Sequence, residues 1–191
     1  VGDTRLVSML GGLTRSFAAN PYDVIYGLAR KTDADAYLLP APLYADSTAD
    51  KEIMMTQSGI AATMQLIDAA SLAVVGIGNL DFAAGTALAT ALRCSEEAED
   101  LFAKGARAEI LGQYIDADGQ LMATQYDDHV MAPSLESLRG REVVAIAGGH
   151  TKTEAVEAAL KSGLLTGLII DEATAKRLIG DPHAQHLAAA E

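Results

Sequence analysis

Val143-Val144-Ala145-Ile146-Ala147-Gly148-Gly149-His150-Thr151-Lys152 is the stretch on which the fold is read. Five apolar residues in a row predict a strand, a glycine pair predicts a sharp exit from it, and helical spacing follows over Thr151–Lys161. That succession is one βα unit. It recurs downstream as a strand at Leu168–Ile170 and a helix at Glu172–Ile179. Upstream, Leu72–Ile77 is apolar on both faces, as a strand covered on both sides of a parallel sheet requires. Leu6–Leu10 reads as a strand ending in Gly11-Gly12. A helix from Pro21 to about Lys31 follows, with Asn20 placed to cap it, and then a strand at Ala36–Leu39 stopped by Pro40 and Pro42. Helices are expected at Thr48–Gln57, Gly59–Ala69 and about Glu96–Lys104. Strands alternating with helices define an α/β fold with a doubly wound, mostly parallel sheet. One segment breaks the rhythm: Ile110–Ile115 and Gln120–Ala123, joined by Asp116-Ala117-Asp118-Gly119, predict a β-hairpin insertion. Without a repeat or a low-complexity linker, residues 1–191 are expected to form a single domain whose last stretch, 181–191, frays.

Composition narrows the function. Half of the 191 residues are apolar and 21% are charged, the balance of a folded domain rather than a disordered chain. No apolar run approaches the roughly 18–20 residues that cross a bilayer, and the first residues carry no basic-then-apolar signal pattern. A single cysteine, Cys94, rules out an internal disulfide and fits a reducing, cytoplasmic setting. Fourteen basic residues stand against 26 acidic ones, a net charge of −12, with no basic run. Nucleic-acid binding needs clustered Lys and Arg on phosphates, so direct contact of this chain with DNA or RNA is not expected. The chain opens Val-Gly-Asp-Thr-Arg without an initiator Met, which reads as a piece whose natural N-terminal part is missing.

Three glycine-bearing loops follow strands: Gly11-Gly12, Gly76-Ile77-Gly78-Asn79 and Gly148-Gly149. Ligands of open parallel sheets bind outside the carboxyl ends of the strands, and glycine there lets backbone amides come close to an anion. Tight turns alone are the competing explanation for each loop. Lys152 sits in the first turn of a helix, where the helix dipole disfavours a cation, so a bound anion would account for it; a solvated surface lysine is the alternative. Asn20, Asn79, Asp81 and Glu109 are the polar groups placed to meet hydroxyls, although helix capping alone would explain Asn20 and Asp81. His183 and His186 have no third ligand nearby, and His129 and His150 are scattered, so no metal site is expected. Cys94 has no partner pattern for a nucleophile, and no Ser/His/Asp order, Gly-x-Gly-x-x-Gly helix start or phosphate loop is present. The Asp116–Gly119 turn is too short for a calcium loop.

Seven pieces in order resemble the sugar-binding domain of SorC/DeoR-type bacterial transcriptional regulators. They are Gly11-Gly12-Leu13; Asn20-Pro21-Tyr22-Asp23-Val24; Tyr37-Leu38-Leu39-Pro40-Ala41-Pro42; Val74-Val75-Gly76-Ile77-Gly78 with Leu80-Asp81; Asp116-Ala117-Asp118-Gly119; Ala147-Gly148-Gly149 with Lys152; and Ile170-Asp171-Glu172-Ala173-Thr174-Ala175. The likeness runs from about Leu6 to Ile179. It implies a fold like that of glucosamine-6-phosphate deaminase and ribose-5-phosphate isomerase, and a dimeric or tetrameric repressor or activator released by a phosphosugar. It also implies effector contacts at Gly11, Gly12, Asn20, Gly78, Asp81, Glu109 and Lys152, with Glu109 resting on the looser match Gly105-Ala106-Arg107-Ala108-Glu109.

Two features of the family have no counterpart here: its helix-turn-helix DNA-binding domain, and an earlier strand with a Gly/Ser/Thr-rich loop that grips phosphate. The expected role is therefore effector sensing, with a sugar or phosphosugar as partner, DNA reached only through a domain outside this chain, no membrane partner, no cofactor and no catalytic residue. An exposed strand edge and apolar surface are expected where the earlier strand is lacking. The alternative is a sugar-phosphate isomerase or deaminase on the same fold, with Asp81 or Glu109 as base.

Overall fold

The computed structural model describes residues 4–12, 24–80 and 95–180, which fall into two compact units. The first unit contains residues 1–70 and 125–134, the second residues 71–124 and 135–191.

In the first unit, β1 (Arg5–Val7) and β2 (Asp35–Tyr37) pair in parallel, Leu6 against Ala36. The crossover between them contains α1 (Ile25–Thr32), which buries Ile25 and Ala29 and ends at Asp33 in the left-handed conformation, φ 55°. The helix begins four residues later than Pro21, and residues 13–23, Asn20 among them, lie outside the described part of the chain. Two helices follow, α2 (Thr48–Met55) and α3 (Ser58–Ala69). Ser47 caps α2 by accepting the Asp50 amide at 3.1 Å, satisfying an amide the helix cannot. Leu39, Ala45, Ile60 and Met131 form the core of this unit, with Met54, Met55 and Met64 closing over it.

The second unit carries two sheets. β3 (Leu72–Gly76), β8 (Glu142–Ile146) and β9 (Gly167–Ile169) form a parallel sheet in the order β3-β8-β9. β4 (Gly78–Asn79), β5 (Ala106–Ile110), β6 (Gln113–Asp116) and β7 (Leu121–Met122) form an antiparallel sheet in chain order. Helix α4 spans Ser95–Ala103, α5 Thr153–Lys161 and α6 Glu172–Leu178. Ala155, Val156, Ala158 and Ala159 form the buried stripe of α5, which packs on β5 and α6. Short side chains along that stripe let the helix approach closely.

Two expectations need correction. Ile110–Ile115 is not one extended segment: Leu111 and Gly112 turn the chain at φ 53° and 75°, so β5 and β6 form a two-residue hairpin. Positive φ at both central residues is what a type I′ turn needs. The second hairpin, β6 with β7, is the expected one; Asp116 Oδ1 accepts the amides of Asp118 and Gln120 and closes it. The other correction concerns β3, which is not covered on both sides. Ala73 and Val75 are buried, whereas Leu72 and Val74 are exposed.

Candidate effector site

The site candidates of the second unit meet where β3 ends. In the register of the antiparallel sheet Gly78 lies opposite Glu109, and a Cβ on Gly78 would stand 2.5 Å from Glu109 Oε2. Glycine leaves room for the carboxylate in this position, which a Cβ would force to move. Glu109 is anchored from the other side, since Oε1 accepts the amide of Gly112 in the β5–β6 turn. Part of its side chain still reaches solvent, yet enough protein surrounds the carboxyl that burial pushes its pKa up from 4.5 to about 7. The Gly112 amide and the nearby positive charge of Lys152 pull the other way without cancelling the shift.

Lys152 caps the beginning of α5 after a 3-10 turn over His150–Lys152, so it stands just before the helix rather than inside its first turn. Its Nζ donates to the Ile77 carbonyl oxygen at 2.8 Å, tying the start of α5 to the residue between β3 and β4. Two of its three ammonium protons remain for other acceptors. Asn79 adds a fourth group. Its Nδ2 donates to the Thr151 carbonyl at 3.3 Å, which fixes the amide's orientation because that carbonyl can only accept. Its Oδ1 is then a buried acceptor without a hydrogen-bond partner among the described residues.

The Gly148-Gly149 loop lies alongside and is held by a residue the sequence analysis left without a role. Asp171, the N-cap of α6, accepts the Gly149 amide at 2.8 Å, the Thr174 amide at 2.8 Å and the Thr174 hydroxyl at 2.6 Å. Those donors, the Thr174 hydroxyl foremost, hold its carboxyl well below the usual carboxylate range. An Asp directly before a helix with Thr three residues on is a capping signature, and that was the sign available in the sequence. Gly149 itself needs φ 101°, which side-chain-bearing residues rarely adopt.

Gly11 and Gly12 come together in the first unit, beside the main chain of residues 41–42 and 131. Their amides, expected to be free for a ligand, are committed to the carbonyls of Met131 (3.0 Å) and Ala41 (2.8 Å). A Cβ at Gly11 would lie 2.0 Å from the Pro42 oxygen, so close backbone approach explains this glycine. Asn20, Asp81, Cys94, His183 and His186 lie outside the described residues. Among the described residues no group of three or more His, Cys, Asp or Glu side chains is arranged to hold a metal, and no helix is long and apolar enough to cross a membrane.

The Glu109 carboxyl and the Lys152 ammonium, both partly exposed beside Gly78, can exchange hydrogen bonds with hydroxyls and an anionic group. The family model described as "Putative sugar-binding domain" matches residues 1–180, and the chain belongs to that family. The erythritol catabolism regulatory protein EryD of Brucella abortus (strain 2308) is 41% identical over 183 residues, which are 96% of this chain and 58% of that protein. The full-length sorbitol operon regulator SorC of Klebsiella pneumoniae superposes with a TM-score of 0.82 at 25% identity, over 92% of this chain and 57% of SorC. A structure described as the "Putative Sugar-Binding Domain of Transcriptional Repressor" from Vibrio fischeri gives a TM-score of 0.76 at 26% identity, over 98% of this chain and 71% of that one. The chain thus has the α/β fold of the sugar-binding domains of these regulators and spans a little over half the length of EryD and SorC.

Proposed function

We propose that the chain senses a sugar, polyol or phosphosugar through Gly78, Glu109 and Lys152, with Asn20 and Asp81 as the further contacts that the family resemblance implies. The observation that carries this reading is the partly buried Glu109 carboxyl set against Gly78 and within electrostatic reach of Lys152. A carboxyl that titrates near neutrality recognises hydroxyls in either protonation state, and the ammonium supplies the charge for a phosphate or other anion. The resemblance also counts Gly11 and Gly12 among the effector contacts, although their amides bond Met131 and Ala41. In the intact regulator, a cytoplasmic homo-oligomer with 1–191 as one effector domain, ligand binding here would bias DNA affinity held elsewhere in the protein. Such coupling is typically about 1–3 kcal/mol.

The test is a thermal-shift panel of erythritol, ribose and glucosamine beside their phosphates. A ligand at about 100 times its Kd adds roughly 2.7 kcal/mol of stability. One compound raising the melting temperature of the wild-type chain, and not of Lys152→Ala, supports the reading. Equal shifts in both proteins remove Lys152 from the site.

The Glu109 pKa favours one alternative, a general base of a sugar-phosphate isomerase or deaminase. Turnover of ribose-5-phosphate or glucosamine-6-phosphate that disappears in Glu109→Gln would establish it. Binding without turnover would dismiss it.

A further inference from the structure

Glu109 and Lys152 share the site without bonding to each other; each is held by main chain instead. Glu109 Oε1 accepts the Gly112 amide, and Lys152 Nζ donates to the Ile77 carbonyl at 2.8 Å. Lys152 acts on the carboxyl through its field rather than through a hydrogen bond. Hydrogen-bonding capacity is left over on both: two ammonium protons, and Oε2 of Glu109, which lies where Gly78 lacks a Cβ. The two capacities are opposite in kind, since an ammonium only donates and an ionised carboxylate only accepts. A ligand that meets both therefore accepts at one oxygen and donates at its neighbour, as adjacent hydroxyls of a sugar or polyol do. A phosphate dianion offers acceptors alone. It satisfies Lys152 but sets like charge against an ionised Glu109. A proton on Glu109 removes that repulsion and turns the carboxyl into a donor.

Charges on the elements packed around β5 are paired elsewhere. Arg107 of β5 itself donates to the Phe102 and Ala106 carbonyls and faces Glu154 of α5. Lys161 of α5 pairs with Glu157, and Lys104, just after α4, pairs with Asp100. β4 sets Gly78 opposite Glu109, and β6 sets Tyr114 there and carries Asp116, which closes the β6–β7 turn. The cation that acts on Glu109 is Lys152. We propose that Glu109 is the residue that sorts ligands by charge: ionised, it takes a neutral vicinal diol together with Lys152, and it admits a phosphate only with the uptake of one proton. The inference rests on the effector reading of this site and adds the chemical class it selects. Linkage is reciprocal, so a bound phosphate tightens the proton on Glu109 and a bound diol loosens it. With the carboxyl titrating at about 7, the selection changes sides between roughly pH 6 and 8.

Calorimetric titration of the 191-residue chain with erythritol, ribose, ribose-5-phosphate and glucosamine-6-phosphate at about pH 6 and 8 tests it. Glu109→Gln is the reference: it keeps an acceptor for the Gly112 amide, does not titrate, and shares any effect of the phosphate's own ionisation. Relative to that variant, wild-type affinity for a phosphosugar is expected to fall about tenfold across this interval, the effect of one proton on a group titrating near 7. Affinity for a neutral ligand holds or rises. Wild type alone gives a second reading that does not depend on the variant. At about pH 8 the heat of phosphosugar binding should change between two buffers of unlike ionisation enthalpy in the sense of proton uptake. That of a neutral ligand should show release or no exchange. A ratio to the variant that stays constant with pH, or a phosphosugar bound without proton uptake, overturns the proposal and leaves the effector reading standing. Absence of binding by all four ligands overturns both.

Discussion

Gly78 and Glu109 share a space that admits one of two things, a Cβ or a carboxylate oxygen, because the two would be 2.5 Å apart. Gly78→Ala therefore pushes Glu109 off its anchor on Gly112. A cost of about 1–2 kcal/mol is expected in urea unfolding, as for other overpacked positions. In Gly78→Ala/Glu109→Ala the clash is gone, and the double-mutant cycle should return most of that cost as coupling. Additive costs would show that the two residues do not compete for this space.

Glu109 also sets a pH dependence. Its folded-state pKa, about 7, lies above the ordinary 4.5, so the folded protein holds this proton more tightly than the unfolded chain. The group's contribution is fully present below pH 4.5 and falls as pH rises through 7. With part of the side chain in solvent, a loss of about 1–2 kcal/mol across this window is expected. Urea unfolding from pH 5 to 8 should show the decline in wild type and a flatter curve in Glu109→Gln.

Asp171 has the opposite sign. Its carboxyl is held below the ordinary 3.8 by Thr174 and Gly149, so its contribution is present above that value and lost as pH falls below it. Asp171→Ala should cost about 1 kcal/mol through the lost α6 cap. It should also free the Gly149 amide, visible as faster hydrogen exchange at residue 149. Asp171→Asn, which still caps a helix, should recover most of the stability without the acid dependence.

Gly119 tests the second hairpin. Its φ is 83°, and a Cβ there would meet the Lys161 carbonyl carbon and the Ser162 nitrogen at the end of α5. Gly119→Ala combines backbone strain with a clash against main chain, and a loss of about 2–3 kcal/mol in melting or urea unfolding is expected.

The strands that lead to the site were legible because a run such as Val143–Ala147 has few alternatives once glycines bound it, and β8 occupies Glu142–Ile146. The β6–β7 turn was legible for a local reason as well: Asp116 closes it with its own side chain. Leu111 was not legible, since nothing about leucine announces a positive φ; the hairpin it turns is held by Glu109 from two residues back. Gly11 marks a different limit. A glycine after a strand signals close approach, but not by what, and here the neighbour is Pro42 of the same chain. That Leu72 and Val74 stand exposed while Ala73 and Val75 are buried was not legible in Leu72–Ile77 itself, because the run shows only that both faces are apolar. Glu109, carried by the loosest of the sequence matches, lies opposite Gly78 and within the field of Lys152.

The bond from Lys152 to the Ile77 carbonyl has a consequence for any affinity measured at this site. An anion that draws the ammonium away from Ile77 enters a competition, because one of its three protons already serves a neutral acceptor 2.8 Å away. The observed binding free energy is then a difference between two contacts, and exchanging a peptide carbonyl for a charged oxygen makes that difference sensitive to ionic strength. Neutral polyols leave the tether in place. Salt titration of binding therefore separates ligands that displace it from ligands that settle beside it.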